Sequence, residues 1–363
     1  MWLPRFFFRR LRGRFRTAMV VGLGLVSVNA WAGANDLSLL NLCGAGVPRA
    51  LSGGNFSECG WVSRDPSGRV TGVQLNADAE TRFRSLMSEL GMVLSPAIVT
   101  PADTLGFAGF QISVELGLTR INNDKVYWDG VDAVSPQNRL ASRPDPWLTT
   151  VGMFVRKGIW LPVPSMEVGA GFIHLLQSQM IAYQAYAKLA LLEGFQHWPL
   201  PSVALRAGLS HVTGSAEARL DVANFDVLAS KAVGIAGTFR LEPFGGWSYV
   251  MIRAKSGFID ATPGCDGHLT NSGLAGGAYC GPTLPDNDLA ANFQFRNQSA
   301  ILRQRYFGGM KLKFAAVFLA AQYEFIPAGR SRDTRTGDGM PLSGAKDSSG
   351  RQTRVSISGG LDF

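Results

Sequence analysis

Two histidines and the hydroxyl residues near them are the residue types in this sequence that could carry out acid–base or nucleophilic chemistry. His174 and His211 occupy matching positions in two similar segments, and Ser210, Thr213 and Ser215 lie close to the second histidine. A catalytic Ser–His pair needs a hydrogen bond between hydroxyl and imidazole. Ser210 and His211 are adjacent, however, and adjacent residues of a strand point to opposite faces.

The two histidines are also poorly placed to share a metal ion or a proton. If one strand lies between them, two strand spacings separate them by about 10 Å, beyond the reach of a common ligand. The sequence therefore predicts no catalytic residue, no metal site and no cofactor. A hydrolase remains an alternative.

The N-terminus has the features of a secretory signal peptide, residues 1–32. Six arginines precede the apolar stretch 18–28, and Ala30-Trp31-Ala32 provides small residues for cleavage before Gly33. The alternative is an N-terminal membrane anchor, but the apolar stretch is too short to span a bilayer. Six of the 35 basic residues lie in this leader, so the exported chain has 29 basic and 27 acidic residues. The formal charge of +8 therefore does not indicate a nucleic-acid partner.

Four cysteines are expected to form disulfides once the chain is in an oxidising compartment. Cys43 and Cys59 are close in sequence, as are Cys265 and Cys280. Among the three possible connectivities we predict 43–59 and 265–280. Neither pair has the spacing of a zinc knuckle.

The composition of the chain is apolar on average, yet beyond the leader no apolar run is long. Hydrophobic residues make up 46% of the 363 residues and charged residues 17%, and the mean hydropathy is +0.08. No such run approaches the 18 or more residues of a spanning helix. This combination is typical of alternating strands.

Residues 33–106 form a segment of different character, with one helix. Asn76 is a suitable N-cap, the apolar residues Phe83, Leu86, Met87 and Leu90 recur at helical spacing, and Gly91 can end the helix. We predict a small periplasmic or plug-like cap. A periplasmic cap is favoured because the side chains of about ten strands already fill a lumen of that size.

From residue 107 onward the apolar period changes from 3.6 to 2, which predicts an all-β region, 107–363. In 110–119 every even position is apolar and every odd position is polar or glycine. The candidate strands are 110–119, 146–157, 165–176, 180–193, 202–213, 218–231, 237–254, 296–310, 313–326 and 351–363. The count is ten, or twelve if the N-terminal region adds a hairpin.

An internal near-repeat supports the strand phase. Residues 164–172 align without gaps on 201–209, and the apolar positions coincide. Both copies follow a turn that contains a tryptophan, Trp160 or Trp198, as expected where an aromatic belt meets a membrane interface.

Connection lengths are asymmetric, which indicates a barrel that spans a membrane. The long connections 122–145, 255–295 and 327–350 all fall at one end of the strands, which we call the long-connection end. The opposite end, called the short-turn end, has compact turns. Short turns on one side and long loops on the other are typical of outer-membrane barrels.

The C-terminal strand carries the most specific pattern. Val355, Ile357, Leu361 and Phe363 share one face, and the chain ends on Phe363. This resembles the terminal assembly signal of Gram-negative outer-membrane β-barrel proteins, which the barrel-assembly machinery reads. The resemblance covers residues 107–363 and implies an up-and-down antiparallel transmembrane β-barrel in the outer membrane, with lipid and lipopolysaccharide as its surroundings.

Charged residues on the other face are predicted to line the lumen. The candidates carry both signs: Glu115, Glu167, Lys188, Arg206, Asp221, Arg240, Glu242, Glu324 and Arg354. Such a set is typical of an ion-paired interior or of a narrow selective pathway. The phase of the strand near 296–310 is ambiguous, because Ile301 shares a face with Arg303 and Arg305.

A second resemblance concerns the start of the barrel. Residues 101–106, Pro-Ala-Asp-Thr-Leu-Gly, follow a helical segment and are similar to the same region of the outer-membrane family that transports fatty acids and hydrophobic compounds.

Three functions follow as hypotheses. The first is passage or uptake of a small or hydrophobic solute, or a structural role at the cell surface. The second is transport of fatty acids or hydrophobic compounds. The third is an outer-membrane lipid hydrolase, although we expect no enzyme activity.

Overall fold

The computed structural model describes residues 33–43, 59–64, 66, 70–131, 144–160, 165–193, 200–235, 238–260, 292–333 and 344–363. The predicted leader, the Cys265–Cys280 pair and Trp198 lie outside these residues. The described strands and longer helix follow in chain order: β1 (Gly60–Arg64), β2 (Val70–Leu75), α1 (Ala77–Val93), β3 (Phe110–Arg120), β4 (Trp147–Ile159), β5 (Met166–Leu175), β6 (Ile181–Leu192), β7 (Ser202–Thr213), β8 (Ala218–Ser230), β9 (Val233–Ile235), β10 (Phe239–Ser256), β11 (Ile259–Asp260), β12 (Asn292–Phe293), β13 (Gln298–Phe314), β14 (Val317–Ile326) and β15 (Gln352–Asp362). Two short 3₁₀ helices span Leu39–Cys43 and Val126–Gly130.

Ten of these strands close into one antiparallel barrel. Each long strand pairs with its neighbour in the order β13-β14-β15-β3-β4-β5-β6-β7-β8-β10, and β10 also pairs with β13, which completes the ring. The ten predicted strands and the closed barrel are confirmed. The alternative of twelve strands is wrong, because β1 and β2 pair with each other in a separate sheet.

The barrel wall is apolar outside and polar inside, the reverse of a soluble protein. In β3, Gln111, Ser113 and Glu115 are buried, whereas Val114 is 57% exposed although it is apolar. Exposed apolar side chains alternate in this way around the ring, and water would make such a surface unfavourable. The outer face therefore suits a lipid environment, as in transmembrane barrels.

Aromatic side chains mark the short-turn end of the wall. They are exposed at the ends of several strands and in the segment before β3: Phe107, Trp160, Phe239, Phe314 and Phe363. Two pairs are in contact, Phe107 with Trp160 at 6.1 Å and Phe239 with Phe314 at 5.0 Å between ring centroids. This arrangement fits an interfacial aromatic girdle.

The structure settles the phase of two strands. Ile301, Arg303 and Arg305 all face inward and are buried in β13. Asp221, which the sequence analysis placed in the lumen, faces outward instead and pairs with His211. In β8 the inward set is the one that contains Asn224 and Asp226.

Helix α1 begins as predicted and extends further than predicted. The Asn76 side chain accepts a hydrogen bond from the backbone N–H of Ala79 at 2.8 Å, which caps the first turn. The helix does not end at Gly91 but continues to Val93. Gly91 has a packing role, since a Cβ there would lie 2.7 Å from a side-chain carbon of Ile252 in β10.

The Cys43–Cys59 disulfide is confirmed. The two Cα atoms lie 4.8 Å apart, and both residues are buried beside the 3₁₀ helix Leu39–Cys43. The bond ties this helix to the start of the β1–β2 hairpin.

The N-terminal segment is not a cap at the short-turn end. Asn35 donates its backbone N–H to Gln177 in the β5–β6 turn at 2.8 Å, and Leu37 forms a bridge with Val131. Both partners belong to the long-connection end. This position differs from that of the favoured cap, and the chain between α1 and β3 returns to the short-turn end through the lumen. No described helix is long and apolar enough to cross a membrane.

Candidate functional site: a charged lumen filled by an internal segment

Buried ion pairs connect neighbouring strands on the inner wall. Arg156 of β4 contacts Glu115 of β3. The Lys188 Nζ of β6 lies 3.1 Å from the Glu167 carboxylate of β5. Glu167 and Lys188 are directly opposite each other in the register. Arg156 is opposite Gln111, and its side chain extends along the wall to reach Glu115.

A second network surrounds Asp226 of β8. One carboxylate oxygen lies 2.6 Å from Arg206 Nε and the other 3.7 Å from Arg305. Arg305 also contacts Glu324 of β14 at 3.4 Å. Asn224 donates a further hydrogen bond to Asp226 at 2.7 Å. Two guanidinium groups and an amide therefore hold a carboxylate with no exposed surface.

Residues 94–103 run through this lumen and are called the lumen segment. The end of the segment that follows α1 is held by side chains of the wall. Gln184 Nε2 and Ser210 Oγ both donate to the carbonyl of Leu94, at 3.0 and 2.9 Å. Arg354 Nη1 donates to the preceding carbonyl of Val93 at 3.2 Å.

Further down the lumen, carbonyls of the segment accept hydrogen bonds from wall cations. Arg305 donates to the carbonyl of Pro96 at 2.8 Å, and Arg206 to that of Ile98 at 2.9 Å. Lys188 Nζ donates to the carbonyls of Pro101 and Asp103, at 3.1 and 2.8 Å. Four carbonyls of the lumen segment, those of Pro96, Ile98, Pro101 and Asp103, thus have charged donors.

One apolar patch accompanies these polar contacts. Val99 and Ala102 of the lumen segment are buried in a cluster with inward side chains of the wall, among them Ala204, Leu228 and Phe307. The Ala102 backbone N–H also donates to Ser230 Oγ at 3.1 Å.

The lumen segment is anchored at the short-turn end by two acidic contacts. Asp103 lies 2.7 Å from Arg240, which is half exposed at the rim. Thr104 donates its hydroxyl and its backbone N–H to Glu193 at the end of β6. A wider vestibule of about 750 Å³ lies beyond these residues.

A small cavity lies beside the lumen segment. It measures about 110 Å³ and lies between the segment and the wall near Lys188 and Lys311. At this level the segment itself occupies part of the lumen, since its carbonyls accept hydrogen bonds from Lys188.

At the long-connection end, Glu89 fixes α1 to two connections. Trp128 Nε1 donates to it at 2.9 Å, Gly350 donates its backbone N–H at 2.6 Å, and the Tyr127 hydroxyl also contacts it. Burial raises the pKa of Glu89 above its usual range, although these three donors oppose the shift.

Glu80 is the titratable group of α1 that responds near neutral pH. Both carboxylate oxygens accept from the backbone N–H of Arg296, at 3.1 Å each. Burial raises the pKa of Glu80 to about 7, despite this hydrogen bond and the charge of Arg296. The carboxyl therefore gains its charge as the pH rises through neutrality.

The seven proposed lumen-lining residues have the following positions. Glu115, Glu167, Lys188, Arg206, Glu324 and Arg354 are buried on the inner wall, and Arg240 lies at the short-turn rim. Of the residues beyond that set, Glu242 is buried beside Arg240, within 3.5 Å.

Sequence reasoning missed Arg156, Asp226 and Arg305 as members of the lumen set. Arg156 lies beside Lys157 near the end of β4, where the inward Phe154 interrupts the alternation of apolar and polar residues. Asp226 was missed because Asp221 was placed in the lumen, which gives β8 the opposite phase. The lumen segment itself has no periodicity that would reveal its path.

The assembly-signal residues lie on the outer face. Val355, Ile357 and Leu361 are 38, 44 and 44% exposed, and Phe363 is 63% exposed. The backbone of Phe363 exchanges two hydrogen bonds with Phe110, at 2.8 and 3.0 Å, so the last residue closes the seam between β15 and β3.

The two histidines lie on the outer face, and each has a different contact. His174 Nδ1 lies 3.2 Å from the carbonyl of Met180, and His211 Nδ1 lies 2.6 Å from Asp221. Ser210 points into the lumen, so it does not contact His211. Within the described residues, no group of three or more His, Cys, Asp and Glu side chains is placed to hold a metal ion.

Comparisons with known proteins give similarity of general shape only. No protein-family model and no curated protein matches the chain. Among solved structures, the attachment invasion locus protein Ail of Yersinia pestis is 10% identical, with a TM-score of 0.24 over 71% of this chain and 99% of that one. The translocator domain of the autotransporter NalP from Neisseria meningitidis is 10% identical, with a TM-score of 0.31 over 79% of this chain and 97% of that one.

A third match is the outer membrane protease OmpT of Escherichia coli, 9% identical, with a TM-score of 0.22 over 74% of this chain and 99% of that one. At these scores the matches carry no argument about function. The fold rests on the chain's own closed strand order and its inverted polarity. On that ground the resemblance of residues 107–363 to outer-membrane β-barrels is confirmed as architecture.

Proposed function

We propose that this protein is an outer-membrane barrel in which the lumen segment acts as a gate for a small solute. Export by the predicted leader, insertion by the barrel-assembly machinery and contact with lipopolysaccharide belong to this proposal. Passage requires the lumen segment to leave its position, because the segment runs through the lumen and is hydrogen-bonded to the wall.

The polar contact between segment and wall is the observation that carries the proposal. The carbonyls of the lumen segment accept hydrogen bonds from Lys188, Arg206 and Arg305. Water can replace such bonds when the segment moves, so their net contribution is only about 1–3 kcal/mol each. The apolar patch at Val99 and Ala102 is small by comparison.

The same donors indicate the class of solute. When the carbonyls leave, four cations of the inner wall lose an acceptor: Lys188, Arg206, Arg305 and Arg354. A solute that replaces the segment must supply acceptor oxygens to these buried cations. We therefore propose a small anionic, oxygen-rich solute, and the polar lumen disfavours the alternative of a hydrophobic cargo.

A reversible lock tests the gate. Ala102 N and Ser230 Oγ are 3.1 Å apart, so these two residues are neighbours. The double variant Ala102→Cys/Ser230→Cys is designed to join the lumen segment to β8 by a disulfide, and formation of the bond is verified by mass spectrometry before the recording. Conductance of the refolded protein is recorded in planar bilayers, oxidised and then reduced. We expect rare openings of the wild type, silence of the oxidised double variant and recovery on reduction.

A second variant loosens the segment. Asp103→Asn/Thr104→Val removes the Asp103 charge and the Thr104 hydroxyl, which weakens both anchors at the short-turn end. We expect more frequent, anion-selective openings. The single variant Ala102→Cys controls for reduction of the native disulfide. Equal conductance of locked and unlocked protein would contradict a path through the lumen, and silence of the loosened variant would contradict a gate.

A further inference from the structure

Three basic side chains near the long-connection end are exposed on the outer wall: Arg219 of β8 and Arg253 and Lys255 of β10. None of them forms an ion pair with a described residue, although Asp221 lies opposite Arg253 across the two strands. Arg219 and Lys255 lie directly opposite each other across the two strands, and like charges in that position repel. An anion between them would relieve this repulsion.

The cations lie just above the apolar band of the wall. In the band, Ala223 pairs with Met251 and Phe225 pairs with Tyr249. The next level towards the long-connection end carries Asp221 and Arg253, and the one after that Arg219 and Lys255. This height corresponds to the boundary between acyl chains and headgroups, where basic side chains meet anionic lipids.

A cleft opens in the wall directly below the charges. It measures about 530 Å³ and is lined by Leu209, Ala223 and Met251, with His211 and Arg253 at its head. The small Ala185 and Ala223 lie on either side of Leu209 in one cross-strand row. Their missing volume creates the cleft on an otherwise convex wall.

We propose that this surface binds one anionic lipid, with its phosphate between Arg219, Arg253 and Lys255 and one acyl chain in the cleft. The His211–Asp221 pair borders the headgroup. Charge complementarity and the join of charged head and apolar cleft select an amphiphile over a free anion. This site is on the outer wall and does not depend on the gate in the lumen.

The test measures lipid bound by the folded barrel. The full mature chain is placed in phosphatidylcholine nanodiscs that contain a minor fraction of phosphatidic acid, and retained lipid is counted by native mass spectrometry. The triple variant Arg219→Ala/Arg253→Ala/Lys255→Ala is compared with the wild type. Since each cation near an anionic surface strengthens binding about fivefold, we expect a loss of about a hundredfold.

Two further variants separate the parts of the site. Arg120→Ala removes an exposed cation at the same end of β3, on the opposite wall, and we expect unchanged retention. Ala223→Trp fills the cleft and keeps every charge, and we expect about tenfold weaker retention. Heat-modifiable gel mobility confirms that each variant has assembled.

Three results would overturn the proposal. The first is that the triple variant retains as much phosphatidic acid as the wild type does. The second is that Arg120→Ala loses as much bound lipid as the triple variant, which would indicate an effect of general surface charge. The third is displacement of the lipid by an equal concentration of soluble glycerol phosphate, because a site for an amphiphile prefers the form with chains.

Discussion

Asp226 is a buried carboxylate whose contribution to stability is expected to be large. It has no exposed surface and lies between Arg206 and Arg305. Removing one partner of a buried ion pair leaves an uncompensated charge, which costs far more than the pair contributes as a whole.

We expect Asp226→Ala to lower the free energy of unfolding by about 3–5 kcal/mol, because two guanidinium groups lose their carboxylate. Urea unfolding in detergent micelles measures this loss. The control is Asp221→Ala on the same strand, whose pair with His211 is half exposed. It should cost less than about 1 kcal/mol, and equal losses would contradict the assignment of inner and outer faces.

The His211–Asp221 pair also bears on whether the protein is an enzyme. The inward Ser210 donates to Leu94 and is separated from the imidazole by the wall. We expect neither lipase nor deacylase activity of the refolded protein to depend on His211. An activity that is abolished by His211→Ala in the assembled barrel would overturn this expectation.

The raised pKa of Glu80 predicts that the contact between α1 and the barrel depends on pH. The folded pKa of about 7 exceeds the ordinary value of 4.5 for a glutamate, so folding favours the protonated form. This contribution is fully present below pH 4.5 and is lost as the pH rises through 7. The change is on the order of 3 kcal/mol at most.

We therefore expect hydrogen exchange in α1 to be faster at pH 8 than at pH 5, after correction for the intrinsic rate. Glu80→Gln keeps the shape without the charge and should make the pH dependence of protection clearly smaller, with the remainder due to Glu89. Glu193→Gln, at the short-turn end, is the control. A pH dependence that persists undiminished in Glu80→Gln would assign the effect to another group.

At the scale of elements, α1 and the lumen segment show how an N-terminal region can occupy a narrow barrel. The helix occupies the wider, long-connection end, and an extended chain of smaller cross-section continues through the ion-paired region. The sequence analysis considered only a globular plug, which does not fit such a lumen. An extended chain needs less space than a domain.

Close approach of α1 to β10 gives a test of this arrangement. We expect Gly91→Leu to displace the helix, because a Cβ already lies within 2.7 Å of Ile252. The cost is about 1–3 kcal/mol. Unfolding and exchange in α1 measure it. Gly234→Leu, where a Cβ meets no atom within 4 Å, is the control and should change little.

At the scale of the whole molecule, the last strand decides whether the ring closes. Phe363 joins Phe110 by two backbone hydrogen bonds and presents its ring on the outer face. We expect deletion of Phe363 to leave most of the protein unassembled, as measured by the loss of heat-modifiable gel mobility in membranes. Phe258→Ala, at the opposite end, is the control, and normal assembly of the deletion variant would contradict the predicted assembly signal.

The sequence by itself determined the barrel, because strand alternation is a local property. Residues of period 2 such as those of β3 must present one apolar and one polar face, and ten such segments with one-sided long connections leave few other folds. Local signals also identified the Asn76 cap and the Cys43–Cys59 pair.

Only the tertiary structure decided the path of residues 94–103 and the partners of the buried charges. These depend on contacts between residues about 100 positions apart, such as Arg206 with Ile98. A single charged residue in a strand does not indicate which residue it pairs with. A segment without periodicity does not indicate where it lies in the fold. Asp221 was misplaced for this reason, since a shift of one residue in phase exchanges the lumen for the lipid.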